Sequence, residues 1–84
     1  MNREEILEKV RAYVVENFYF GKADKVQVDT DLMEDGAVDS TGFMELVTFV
    51  EESFPIEVDD EDLAPENFGS VSRIVDFVLR SVAA

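Results

Sequence analysis

In three separate stretches of this chain, apolar residues return every three to four positions, and that period constrains the fold more than any other feature. At 100° per residue, Ile6, Leu7, Val10, Tyr13, Val14 and Phe18 fall on one stripe roughly 140° wide, with Glu8, Arg11 and Glu16 outside it. Asn2 is a suitable N-cap, and Glu4 and Glu5 suit the positive end of a helix dipole, so a helix is predicted over 2–18. A second helix is predicted over 40–54, capped by Asp39 and stopped by Pro55. Its buried stripe is Phe43, Leu46, Val47, Val50 and Phe54. Thr41, Met44, Glu45, Thr48 and Glu52 lie on the opposite side, between roughly 100° and 200° from Phe43. Residues 59–64 read as one short helical turn that Pro65 ends. The last helix is expected over 70–82, capped by Ser70, with Val71, Ile74, Val75, Val78, Leu79 and Val82 facing inward.

Residues 21–38 show no helical period. Val26 and Val28 alternate with Lys25 and Gln27 as in a strand, but no second strand is evident, and an isolated strand is unstable. A long structured loop is the better reading, anchored by Leu32 and Val38 and turned at Gly36. These elements predict an all-α fold: a small antiparallel four-helix bundle with a short third helix and a long first loop. With 84 residues, one domain spanning 1–84 is expected.

Twenty acids face seven bases, a formal charge of −13. Nucleic-acid binding needs a basic footprint, so it is not expected here, and an anionic membrane surface is disfavoured by the same sign. Partners are expected to carry basic patches, and a monomer is expected because no broad apolar face is left over once the bundle packs. The chain has no Cys and no His. That removes disulfides, thiolate metal sites and the commonest general base, so no catalytic and no metal residues are assigned. The acids of the loop do not form an EF-hand: a frame starting at Asp31 puts Met33 and Gly42 where ligands are required. The run Asp59-Asp60-Glu61-Asp62 reads as a solvated cap. The segment Met1-Asn2-Arg3-Glu4-Glu5 is no targeting peptide, and no apolar run approaches the roughly 20 residues that cross a bilayer, so a cytoplasmic protein without membrane insertion is expected.

Asp39-Ser40-Thr41 opens the second helix. All three are ordinary capping residues, which is a sufficient structural account. A functional account also fits: a helix start presents free backbone N–H groups that stabilise a phosphate attached to Ser40. With no His to activate Ser40, any reaction there is performed by another enzyme.

The stretch Leu32-Met33-Glu34-Asp35-Gly36-Ala37-Val38-Asp39-Ser40 resembles the modification segment of acyl and peptidyl carrier proteins. Glu45-Leu46-Val47, Glu51-Glu52-Ser53-Phe54 and Ile56-Glu57-Val58-Asp59-Asp60-Glu61 continue the resemblance in register over nearly the whole chain. The resemblance implies that Ser40 accepts 4′-phosphopantetheine from coenzyme A through a Mg²⁺-dependent phosphopantetheinyl transferase. It implies that Asp39 is read by the transferase and its metal. Glu45, Glu51 and Glu52 would dock on Lys and Arg of partners, with Met44 an apolar contact among them; Thr41 and Thr48 share that face. Partners would include an acyl- or aminoacyl-loading ligase and downstream synthases or transferases. The missing Cys then has a meaning, since the arm would supply the thiol for a cargo thioester. Two departures stand out. Thr41 replaces the family's usual Leu, and Gly42 is a poor helix residue, costing up to about 1 kcal/mol against Ala. These departures, with Leu63-Ala64-Pro65-Glu66-Asn67-Phe68, look more like discrete carriers of specialised pathways, some of which carry aminoacyl groups. Phe43, Phe49 and Phe77 either line an acyl pocket or fill the core, with core the favoured reading. The alternative function is an unmodified acidic helical adaptor for a basic partner.

Overall fold

The computed structural model describes residues 2–83; Met1 and Ala84, the two ends of the predicted domain, lie outside the described residues. Four α-helices follow one another: α1 (Arg3–Phe18), α2 (Ser40–Ser53), α3 (Pro65–Phe68) and α4 (Val71–Ala83). No strand occurs among the described residues, and the predicted all-α bundle with a short third helix is what forms. No helix among them is long and apolar enough to cross a membrane.

α1, α2 and α4 start where a side-chain cap accepts a first-turn amide. The Asn2 side chain accepts the Glu5 amide at 2.9 Å, and Asp39 accepts the Gly42 amide at 2.8 Å. The Ser70 hydroxyl accepts the Arg73 amide at 3.2 Å. Pro65 departs from expectation: it begins α3 rather than ending a turn. The reason is local, because the first helical position has no intrahelical use for an N–H and the proline φ already suits a helix. The turn ahead of it is a 3₁₀ segment, Asp60–Asp62.

α1 and α2 run antiparallel, as three contacts show in register. Phe18 lies against Gly42, Tyr13 stacks on Phe49, and Lys9 sits 6.0 Å from the Phe54 ring centroid. α1 also packs along α4, where Arg3 pairs with Asp76 at 2.6 Å on the exposed rim. Serving two neighbours widens the buried belt of α1, and Val15 joins Ile6, Val10 and Val14 in the core. α3 lies on α4 and draws Phe77 into the core, with the Phe68 and Phe77 centroids 5.2 Å apart. Val82, assigned to the inward stripe, is exposed near the chain end.

The long loop is fixed by backbone bonds rather than by secondary structure. Leu32 N–H donates to the Gly69 carbonyl at 2.9 Å, and Ser72 N–H donates to the Val28 carbonyl at 2.8 Å. Arg11 donates to the carbonyls of Ala23 and Val26, which leaves a short 3₁₀ turn at Ala23–Lys25. Tyr19 O–H donates to Asp35 at 2.7 Å. Burial and that carboxylate push the Tyr19 phenol well above its ordinary range. Leu32 and Val38 are buried as predicted, Val26 is buried with them, and Gly36 makes its turn at φ +79°. This bracing holds Asp39, and hence the start of α2, against the bundle.

Candidate functional site

The start of α2 shows why Gly42 stands where helix propensity argues against it. A Cβ at Gly42 would lie 2.8 Å from Phe18 Cε1 and 3.3 Å from Val38 Cγ1. The glycine lets the end of α1 and the end of the loop close on the first turn of α2. Asp39, bonded to Gly42, fixes the direction in which that turn begins. The amides of Ser40 and Thr41, in the first turn, have no intrahelical acceptor. Ser40 and Thr41 are both exposed.

From Ser40 a groove of about 660 Å³ runs along the outer side of α2. Thr41, Met44 and Thr48 line it along the helix, Glu45 and Glu52 supply carboxylates, and Tyr13 and Phe49 supply aromatic surface. The two rings stack at 4.0 Å with 12° between their planes. Met44 stands 49% exposed, so the thioether is offered to whatever occupies or covers the groove. The Thr48 hydroxyl is turned back on the Met44 carbonyl at 3.0 Å. Burial, then the charges of Glu45 and Glu52, hold the Tyr13 phenol above its ordinary value. The Glu45 and Glu52 part of that rise marks a negative potential beside the phenol. The potential has a source on a larger scale: all seven bases lie in 1–25 or 73–84, and fourteen of the twenty acids lie in 26–72.

The structure thus brings together Ser40, Thr41, Met44, Glu45, Thr48 and Glu52 along one groove, with Asp39 at its head. It sets Glu51 apart. The Glu51 carboxylate accepts the Val58 amide at 3.0 Å and ties the segment after α2 back to the helix. Sequence reasoning missed Tyr13 as a groove residue, because its position on the apolar stripe of α1 reads as core. Phe49 carried a usable signal: it lies off the Phe43-centred stripe, three residues from Glu52 and four from Glu45. Of the three phenylalanines in question, Phe77 is buried, Phe43 is half-buried against Phe68, and Phe49 faces the groove.

A family model described as a phosphopantetheine attachment site matches residues 8–78. That match, on an acidic helical bundle, defines a phosphopantetheine-binding carrier. An "Acyl carrier protein" of Guillardia theta is 37% identical over 84 residues, the whole of both chains, and one from Thermosynechococcus vestitus is 37% identical over the same span. One from Akkermansia muciniphila is 38% identical over 78 residues, covering 93% of this chain and 94% of the relative. The chain belongs to the acyl carrier protein family. It is therefore a carrier and not an enzyme, and its cofactor is covalently attached 4′-phosphopantetheine. Its partners include a phosphopantetheinyl transferase and biosynthetic enzymes.

Proposed function

We propose that Ser40 is the residue that carries 4′-phosphopantetheine. The observation that carries this reading is its position: an exposed hydroxyl in the first turn of α2, at the head of the groove. The residues there fit the group. The Ser40 and Thr41 amides and the dipole of a 14-residue helix favour a phosphodiester at that end. When bound, the group supplies the thiol that a chain without Cys lacks, and cargo rides on it as a thioester. Asp39 holds the first turn in place and offers a carboxylate to the transferase and its metal. Thr41, Met44, Glu45, Thr48 and Glu52 form the docking face for basic patches of the transferase, of an acyl- or aminoacyl-loading ligase and of downstream synthases or transferases. Glu51, outside the groove, adds negative charge beside that face while bracing Val58. Docking through exposed charge is fast and readily reversed, which suits a shuttle that must leave each partner.

The reading takes 1–84 as one carrier domain, working as a monomer in the cytoplasm. It places the chain in a specialised biosynthetic pathway, because Thr41 makes the docking face less apolar beside Ser40. The experiment is intact-protein mass after incubation with coenzyme A, Mg²⁺ and a broad-specificity phosphopantetheinyl transferase. Wild type and Thr41→Ala are expected to gain one phosphopantetheine increment and Ser40→Ala none. An increment on Ser40→Ala overturns the assignment. No increment on wild type with several transferases favours an unmodified acidic adaptor.

A further inference from the structure

We propose that the groove between α1 and α2 is a seat for the cargo itself when the carrier is free of partners, and that it favours an aminoacyl cargo, a protonated amine beside an apolar side chain. The proposal rests on Ser40 as the attachment residue.

The first support is reach. Phe49 and Glu52 lie nine and twelve residues beyond Ser40, roughly 13 and 18 Å along the helix at 1.5 Å per residue. An extended phosphopantetheine arm has two peptide-like units and a phosphodiester, and spans roughly 17 Å at the per-bond reach of an extended chain. Cargo on Ser40 therefore arrives at the end of the groove where Tyr13, Phe49 and Glu52 converge.

The second support is the stiffness of the alternative. A cargo buried in the bundle has to part the core, and that core resists. Ten of its eighteen buried hydrophobic residues are valines, whose branched side chains have few rotamers to yield. Among the described residues it contains no methionine, the side chain that adapts most readily to a guest; Met33 and Met44 are both on the surface. Phe43 and Phe77 are held against Phe68 at 5.7 and 5.2 Å between centroids. The deformable thioether of Met44 lines the groove instead.

The third support is charge. The groove pairs aromatic surface with two carboxylates and, among the described residues, is lined by no basic one. A bare hydrocarbon would use the rings and ignore the acids. An ammonium uses both, by ion pairing with Glu45 or Glu52 and by attraction to the ring faces.

The test loads Ser40 with two hydrolytically stable amide analogues that differ by one amine, leucyl and 4-methylpentanoyl. Intact mass first verifies loading, and failure to load Ser40 defeats the attachment reading and this proposal with it. Once loading is verified, NMR contacts between cargo methyls and the Tyr13 and Phe49 ring protons are measured at low salt. The leucyl form is expected to show them about fivefold more strongly than the amine-free form, the scale of one or two exposed ion pairs. Glu45→Gln with Glu52→Gln is expected to abolish the difference. Equal contacts for both cargoes overturn the amine preference. Contacts to Phe43 and Phe77, or none at all, overturn the seat. Groove shifts caused by an Arg-rich peptide but not by tethered cargo assign the groove to a partner's cation and also overturn it.

Discussion

Replacing Gly42 by Ala sets two effects of known sign against each other. Helix propensity favours Ala by up to about 1 kcal/mol in a helix interior, and by less in a first turn. Packing opposes it. Carbon atoms in contact prefer about 3.5–4.0 Å, and the new Cβ would sit 2.8 Å from Phe18 Cε1, so the ring must retreat by about 0.7 Å or more. The ring has little freedom, because Tyr13 meets it edge-on at 6.0 Å, and Val38 Cγ1 already lies 3.3 Å from the new atom. Overpacking of this kind typically costs about 1–3 kcal/mol. Packing wins, by about 1 kcal/mol, and Gly42→Ala should melt roughly 4–8 °C below wild type for a domain of this size. The assay is thermal unfolding by circular dichroism at fixed salt, with Phe18→Leu as the second arm. The smaller side chain should relieve the clash, so the double variant should be more stable than the sum of the single effects. A Gly42→Ala protein that melts at or above wild type, or strict additivity with Phe18→Leu, would refute the reasoning.

Leu46 is fully enclosed, so Leu46→Ala should lower stability by about 2–5 kcal/mol, read from chemical denaturation; an unchanged midpoint would mean that the inner face of α2 lies elsewhere. In a Tyr19→Phe background, Glu45→Gln with Glu52→Gln should lower the phenol pKa of Tyr13 in an ultraviolet titration, while burial keeps it above its ordinary value; no movement would remove those carboxylates from the groove. The raised pKa of Tyr19 contributes stability that is fully present below the ordinary tyrosine value near 10 and is lost as pH rises beyond it, because the unfolded chain ionises first. Tyr19→Phe should therefore be less stable at neutral pH, where the bond to Asp35 is missing, yet lose less between pH 9 and about 11.5 than wild type does. An equal alkaline loss in both proteins would show that another group governs it.

How much of this was legible in the sequence follows from the range of the interaction involved. Helix positions and caps are set within a few residues, so the stripes of α1, α2 and α4 and the roles of Asn2, Asp39 and Ser70 could be read directly. Leu32, Val38 and Gly36 were readable because a long loop in a small bundle needs buried anchors and a turn. Pro65 was misread because proline is compatible both with ending one turn and with starting the next, and the packing of α3 on α4 decides between them. Gly42 looked like a weakness because the ring that requires it, Phe18, is 24 positions away in the chain. Tyr13 reads as core on the stripe of α1 and Phe49 lies off the stripe of α2, and their joint surface exists only once α1 and α2 lie antiparallel. Glu51 shares its sign and its neighbourhood with Glu52, yet its carboxylate turns to the Val58 amide, a choice that depends on where the chain goes after Pro55.

The central claim is that one hydroxyl, on Ser40, carries the prosthetic group at the head of the groove. Thr41 presents an exposed hydroxyl one position later and is its nearest rival. Top-down fragmentation of the phosphopantetheinylated wild-type protein separates the two. Fragments that end between residues 40 and 41 should carry the increment on the N-terminal side in every molecule. An increment that appears only in fragments including Thr41, or any later residue, would contradict the account.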